Sequence, residues 1–161
     1  MEPKKLILPL SIITPSDLNL VLNEINSLGE FILQESLKNK SSEVKLPRVS
    51  KSLDNLASLN SLDLTKKADV DYLQSQINDL QKKSPIIHVG FAVEPNILLL
   101  EKLSDWFRKN IDNYILLTIG LQPNIGAGIT LRTTNKFFDL SVKNHFKQYI
   151  PQLVQFIKEA S

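Results

Sequence analysis

The sequence predicts an α+β fold: a helical N-terminal region over residues 1–84, followed by a β-α-β-β-α domain over residues 85–161. Three observations predict it. Apolar residues recur at helical spacing through the first half, whereas the period changes after Ser84-Pro85 to strand-like runs rich in β-branched residues. Gly29 is the single glycine of the first half, and Gly90, Gly120, Gly126 and Gly128 all fall in the second, together with most of the aromatic residues. The chain's 161 residues suffice for one domain or two small ones.

In the first half, Thr14-Pro15-Ser16-Asp17 opens a helix with a Thr N-cap, proline at the first helical position and an acid in the first turn. Leu18, Val21, Leu22, Ile25, Leu28 and Ile32 then share one face. Gly29 sits inside this stripe and weakens its last turns. Residues 38–51 read KNKSSEVKLPRVSK, a basic, serine-containing stretch with a proline that is expected as a loop. Leu53, Leu56, Leu59 and Leu62 follow at intervals of three as a short helix with a leucine edge. A second long helix is expected over 65–82, seamed by Val70, Leu73, Ile77 and Leu80.

In the second half, residues 86–93 (IIHVGFAV) read as a strand. Pro95 opens a helix to Asn110 with Ile97, Leu100, Leu103, Phe107 and Ile111 on its apolar face and Trp106 at the edge. Residues 114–121 (YILLTIGL) and 128–133 (GITLRT) supply the second and third strands. The polar Thr134-Asn135-Lys136 turn leads into Phe137-Phe138-Asp139, and Asp139 or Ser141 caps a terminal helix over 142–160. Pro151 is expected to kink that helix.

Nineteen basic and seventeen acidic side chains leave a net charge of +2, too small an excess for a dedicated nucleic-acid binder. The absence of cysteine excludes disulfides, thiolate metal sites and a cysteine nucleophile. The opening MEPKKLILPLSIITPSD holds an apolar stretch too short to span a bilayer and interrupted by Pro9, so no direct membrane insertion is expected. His88 alternates with apolar neighbours in a strand, and His145 lies in a lysine-rich helix beside Lys143 and Lys147; their spacing offers no metal pair. Asp69 and Asp71 are two apart and fall on different helix faces. Gly126-Ala127-Gly128 lies between two strands. It is not the strand-to-helix turn that cradles phosphate, and it reads as a tight passage where backbones approach. No catalytic, cofactor-binding or metal-ligating set emerges. What remains is apolar surface: the leucine stripes of the first half exceed what a small helical layer buries alone, and a groove for a partner helix is the expected use of the remainder.

The second half resembles the C-terminal domain of the delta subunit (OSCP) family of F-type ATP synthases. The resemblance is carried by residues 123–132 (PNIGAGITLR), set against a family Pro-x-x-x-Gly-Gly-hydrophobic stretch, and by residues 137–142 (FFDLSV), set against an Ile-Asp-Gly-Ser-Val motif ahead of the last helix. Strand and helix order over 86–110 agrees, and the resemblance covers about residues 85–157. It departs in two places: Leu140 replaces the motif glycine, and Ala127 one of the paired glycines. The N-terminal arm is also shorter than the family's six-helix domain. The resemblance implies a non-catalytic peripheral-stalk (stator) subunit of a rotary proton-translocating ATP synthase. Such a subunit is cytoplasmic, and it is membrane-associated only through the complex.

On that reading Gly126, Gly128, Asp139 and Ser141 are structural motif residues. Leu18, Leu22 and Ile25 face the N-terminal helices of the alpha subunits. Phe137, Phe138, Phe146 and Ile150 face the C-terminal helices of the b-type stalk subunit. No cofactor and no nucleic acid are implied. The E-type stalk subunit of V/A-type ATPases and the flagellar-export stator share a similar glycine-then-acid pattern after a helical arm and form the alternative. A small RNA- or protein-binding α+β module using the basic 38–51 stretch is a second.

Overall fold

The computed structural model describes residues 6–37 and 47–142. Its elements are α1 (Pro15–Leu37), α2 (Lys51–Asn60), α3 (Lys67–Lys83), β1 (Ile86–Phe91), α4 (Ile97–Asn110), β2 (Leu116–Leu121), a 3-10 turn (Pro123–Ile125), β3 (Gly128–Arg132) and β4 (Phe137–Ser141). The class is α+β, helices first and sheet after. The chain forms two compact units that interleave in sequence. One holds the described residues of Met1–Pro85 with Glu101–Leu116; the other holds Ile86–Leu100 with those of Leu117–Ser161. Helix α4 therefore begins in the second unit and ends in the first.

In the helical unit, α1 starts where the sequence places it. The Thr14 hydroxyl accepts the Asp17 N–H at 3.1 Å, and the Asp17 carboxylate accepts the Thr14 and Ile13 N–H groups at 2.8 and 3.1 Å. These reciprocal bonds occupy donors that a helix start otherwise leaves unpaired. Leu18, Val21, Leu22, Ile25, Leu28 and Ile32 are buried in one core with Val70, Leu73 and Ile77 of α3. Amide pairs Gln74–Asn26 and Gln81–Asn19, both 2.8 Å, flank the seam and show that the two helices run antiparallel. Gly29 does not end the helix; it faces Val70, which a Cβ would touch at 3.7 Å. Ser50, read from the sequence as loop, caps α2 by accepting the Leu53 N–H. Leu53 and Leu56 are buried, but Leu59 is 50% exposed. An interval of three drifts around a helix of 3.6 residues per turn, so the third leucine has rotated off the core.

The opening apolar stretch becomes core. Leu6, Leu8, Ile12 and Ile13 are buried, and the strap they belong to is read through its backbone. The Asn60 amide accepts the Ile7 N–H at 2.8 Å and donates to the Ile7 carbonyl at 2.9 Å, as a neighbouring strand would. The Arg108 guanidinium donates to the Pro9 carbonyl at 3.1 Å, to the Ile115 carbonyl at 3.3 Å and to the Ile12 carbonyl. Arg108 and Ser104 are buried on the same face of α4 as Leu100 and Phe107. Ile97 and Ile111, assigned to that face from the sequence, are exposed instead.

The second unit is built on a four-stranded sheet of order β2-β1-β3-β4. The Leu116 N–H donates to the Pro85 carbonyl and the Gln122 N–H to the Phe91 carbonyl. Pairing that advances along both strands together is parallel, so α4 is a crossover between parallel neighbours. β1 and β3 pair antiparallel with Val89 opposite Leu131, and β3 and β4 pair antiparallel with Leu131 opposite Phe138. β4 is an addition to the three strands read from the sequence. The expected helix over 142–160 lies outside the described residues apart from its first position.

Candidate functional site

The residues that carried the resemblance converge on the β3–β4 hairpin. Gly126 closes the 3-10 turn at φ 75°, and Gly128 opens β3 at φ 96°. Both values favour glycine. Gly128 has a second reason to lack a side chain. A Cβ there would lie 2.5 Å from the Leu140 carbonyl oxygen and 2.9 Å from the Ser141 Cα, inside the β3–β4 ladder. The passage between strands is therefore tight, as the Gly126-Ala127-Gly128 spacing predicts. At the far end of β4 the Asp139 carboxylate accepts the Ser141 N–H at 2.9 Å, an acid-to-second-residue bond of the kind that opens a turn or helix.

Register decides what each face of this sheet offers. Strand side chains alternate, and directly opposed residues share a face. One face carries Ile87, Val89 and Phe91 of β1, Ile129 and Leu131 of β3, and Phe138 and Leu140 of β4. It is apolar throughout. Its β1 members are buried, its β3 members are half-buried, and Phe138 and Leu140 at the edge are 49% and 52% exposed. The opposite face carries His88 and Gly90 of β1, Gly128, Thr130 and Arg132 of β3, and Phe137, Asp139 and Ser141 of β4. Thr130 is buried beneath Gln122, whose side-chain oxygen accepts the Thr130 hydroxyl at 2.8 Å across Gly90. His88 is exposed, on the polar face of its strand.

Phe137 and Phe138, both set against the stalk by the resemblance, point to opposite faces, as adjacent residues of an extended stretch must. Leu18, Leu22 and Ile25, expected to meet a partner, are a correction: they are 1%, 8% and 1% exposed and hold α1 to α3. Their spacing signals burial, and within this chain α3 satisfies it. Phe146, Ile150, His145 and the lysines of the terminal segment lie outside the described residues, as do residues 38–46 of the basic stretch.

β4 itself escaped the sequence reading. Its signal was the alternation Phe138-Asp139-Leu140-Ser141 after a short polar turn, but Phe137 interrupts the period and Asp139 and Ser141 read equally well as a helix cap. Arg108 escaped for a different reason: a charged letter is not scored as core, although it stands four residues after Ser104 and eight after Leu100 on one face.

The groups with displaced pKa values belong to the helical unit. Burial lowers the Arg108 pKa. Burial first, and then the Asp112 charge, raises that of Tyr114. The Thr65 hydroxyl and N–H hold the Asp63 carboxyl below its ordinary value. A shallow depression of about 270 Å³ in the same unit is lined by Asn60, Leu62, Asp69 and Tyr72. Among the described residues no three His, Asp or Glu side chains gather as a metal cradle, and no helix is long and apolar enough to cross a membrane. Neither a protein-family model nor a curated protein matches the chain.

Proposed function

We propose that this chain is a non-catalytic peripheral-stalk subunit of a rotary ATP synthase, related to the delta (OSCP) family. It joins the catalytic head to b-type stalk helices and is membrane-associated through that complex. The observation that carries the reading is the apolar strip of Ile129, Leu131, Phe138 and Leu140, which runs to the sheet edge and leaves two large side chains about half exposed. Exposed apolar area beside a buried core is the feature of an interaction surface, and an amphipathic helix is the partner that such a strip accommodates. The strip lies on the hairpin formed by Gly126, Gly128, Asp139 and Ser141, the residues of the resemblance. On the head-facing side, the buried Leu18, Leu22 and Ile25 give way to Leu33 and Leu37, one turn apart and exposed at the end of α1.

The test is affinity purification of the tagged full chain from gently solubilised membranes, with co-purifying chains identified by mass spectrometry. Alpha, beta and b-type subunits are expected in fixed ratio. A Phe138→Asp/Leu140→Asp variant, shown folded by circular dichroism, is expected to lose the b-type subunit. Recovery of V/A-type stalk or flagellar-export components replaces the F-type assignment with its relatives. Recovery of no ATPase chain refutes the stator reading.

A further inference from the structure

The polar face of the sheet carries an anomaly that the stator reading does not use. Phe137 stands on it 60% exposed, whereas the other apolar residues of β4 occupy the opposite face. Its direct partner on β3 is Arg132, and the partner of Arg132 on β1 is His88. A phenyl ring, a guanidinium and an imidazole therefore form one exposed row across three adjacent strands. With strands ~4.8 Å apart, the row is roughly 10 Å long. The backbone bonds Thr133 to Lys136 and Val142 to Ala127 mark the hydrogen-bonded pairs of the hairpin. Arg132 and Phe137 accordingly form one of the alternate, non-hydrogen-bonded pairs, in which side chains approach most closely. No ion pair engages Arg132 among the described residues. The neighbouring row is Gly90, Thr130 and Asp139: Gly90 has no side chain, Thr130 is buried under Gln122, and Asp139 is exposed.

We propose that this row binds single-stranded nucleic acid, with one base stacked on Phe137 and an adjacent phosphate held by Arg132, His88 offering a further N–H. An exposed aromatic ring next to a cation that no described residue pairs, on a sheet face, matches both the π-face and the charge of a nucleotide. The Asp139 carboxylate, two residues along β4 in the neighbouring row of the same face, repels phosphate from that side. The footprint is thus one or two nucleotides, and the affinity is weak, in the range of about 1–100 µM found for non-specific binding.

The experiment is fluorescence polarisation of a labelled ten-nucleotide oligouridine RNA with the full chain. Saturable binding is expected, with a log–log salt slope between about −0.7 and −1.4, the value for one or two phosphates on a single strand. Phe137→Leu is expected to weaken binding at least about fivefold, from lost stacking. Arg132→Gln is expected to flatten the slope by about 0.7. Phe138→Ala, on the apolar face, should leave both unchanged, and circular dichroism of each variant separates binding loss from misfolding. Absence of saturable binding overturns the proposal. So does equal loss with Phe138→Ala, and so does a polyglutamate peptide binding as well as the RNA, which identifies a plain anion contact without base stacking.

Discussion

Replacing Arg108 by methionine is the sharpest test of how the helical unit is held together. Methionine keeps most of the aliphatic stem and removes the guanidinium, leaving the carbonyls of Pro9, Ile12 and Ile115 without that donor. A hydrogen bond from a charged donor contributes about 1.5–3 kcal/mol net, and an orphaned buried acceptor costs about 1–3 kcal/mol. Against this stands the cost of burying the cation, several kcal/mol, which the variant no longer bears. Three bonds lost against one desolvation recovered leaves a destabilisation of about 2–4 kcal/mol. At roughly 2–4 °C per kcal/mol for a chain of this size, the melting temperature falls by about 4–16 °C.

Urea unfolding followed by circular dichroism measures the free energy directly. Lys109→Met is the control: its 2.7 Å pair with Asp105 is exposed and four residues apart, worth about 0.3–0.5 kcal/mol. If Arg108→Met lies within 0.5 kcal/mol of the parent chain, the guanidinium does not hold the strap to α4 and the reasoning fails.

Two further predictions follow from single positions. Gly128→Ala is expected to destabilise by about 1–3 kcal/mol, because a positive φ and contact with the Leu140 backbone oppose any Cβ, whereas Gly120→Ala, with nothing within 4 Å, should be neutral or slightly stabilising in the same melts. Tyr114 has a folded pKa raised above its ordinary 10.0, so its contribution to stability is complete below that pH and is lost as pH rises through the folded value; the alkaline fall in melting temperature should be shallower in Tyr114→Phe, and identical curves would refute it.

The sequence made the helical layer legible because burial there is a matter of period. Every apolar residue of the α1 stripe, Leu18 through Ile32, is buried, and the Thr14-Pro15-Ser16-Asp17 start is bonded as its letters suggest. What it concealed is what covers each stripe. The same pattern describes a helix awaiting a partner and a helix that finds one fifty residues later, so Leu18, Leu22 and Ile25 fit a partner contact as well as a core until α3 is in place. The interleaving of the two units was concealed for a related reason. Composition changes at Ser84-Pro85, but α4 joins the helical unit through Arg108, a polar side chain reading backbone carbonyls that carry no sequence identity.

The hairpin is where legibility and function diverge most. A Phe-Phe dipeptide in an extended strand commits one ring to each face, and the register of β4 on β3 decides which neighbours each ring acquires. Phe138 falls in line with Leu131 and Val89 and extends an apolar surface suited to a helix; Phe137 falls in line with Arg132 and His88 on a polar one. A slip of one residue would exchange these roles. Gly128 opposes such a slip, because only a residue without a side chain passes the Leu140 and Ser141 backbone at that point. The glycine that supports the resemblance and the two aromatic residues that support separate binding surfaces are therefore parts of one device. Variants at Phe137 and Phe138 consequently separate the two proposals: loss of stalk partners through Phe138 leaves the polar row intact, and loss of RNA through Phe137 leaves the apolar strip intact.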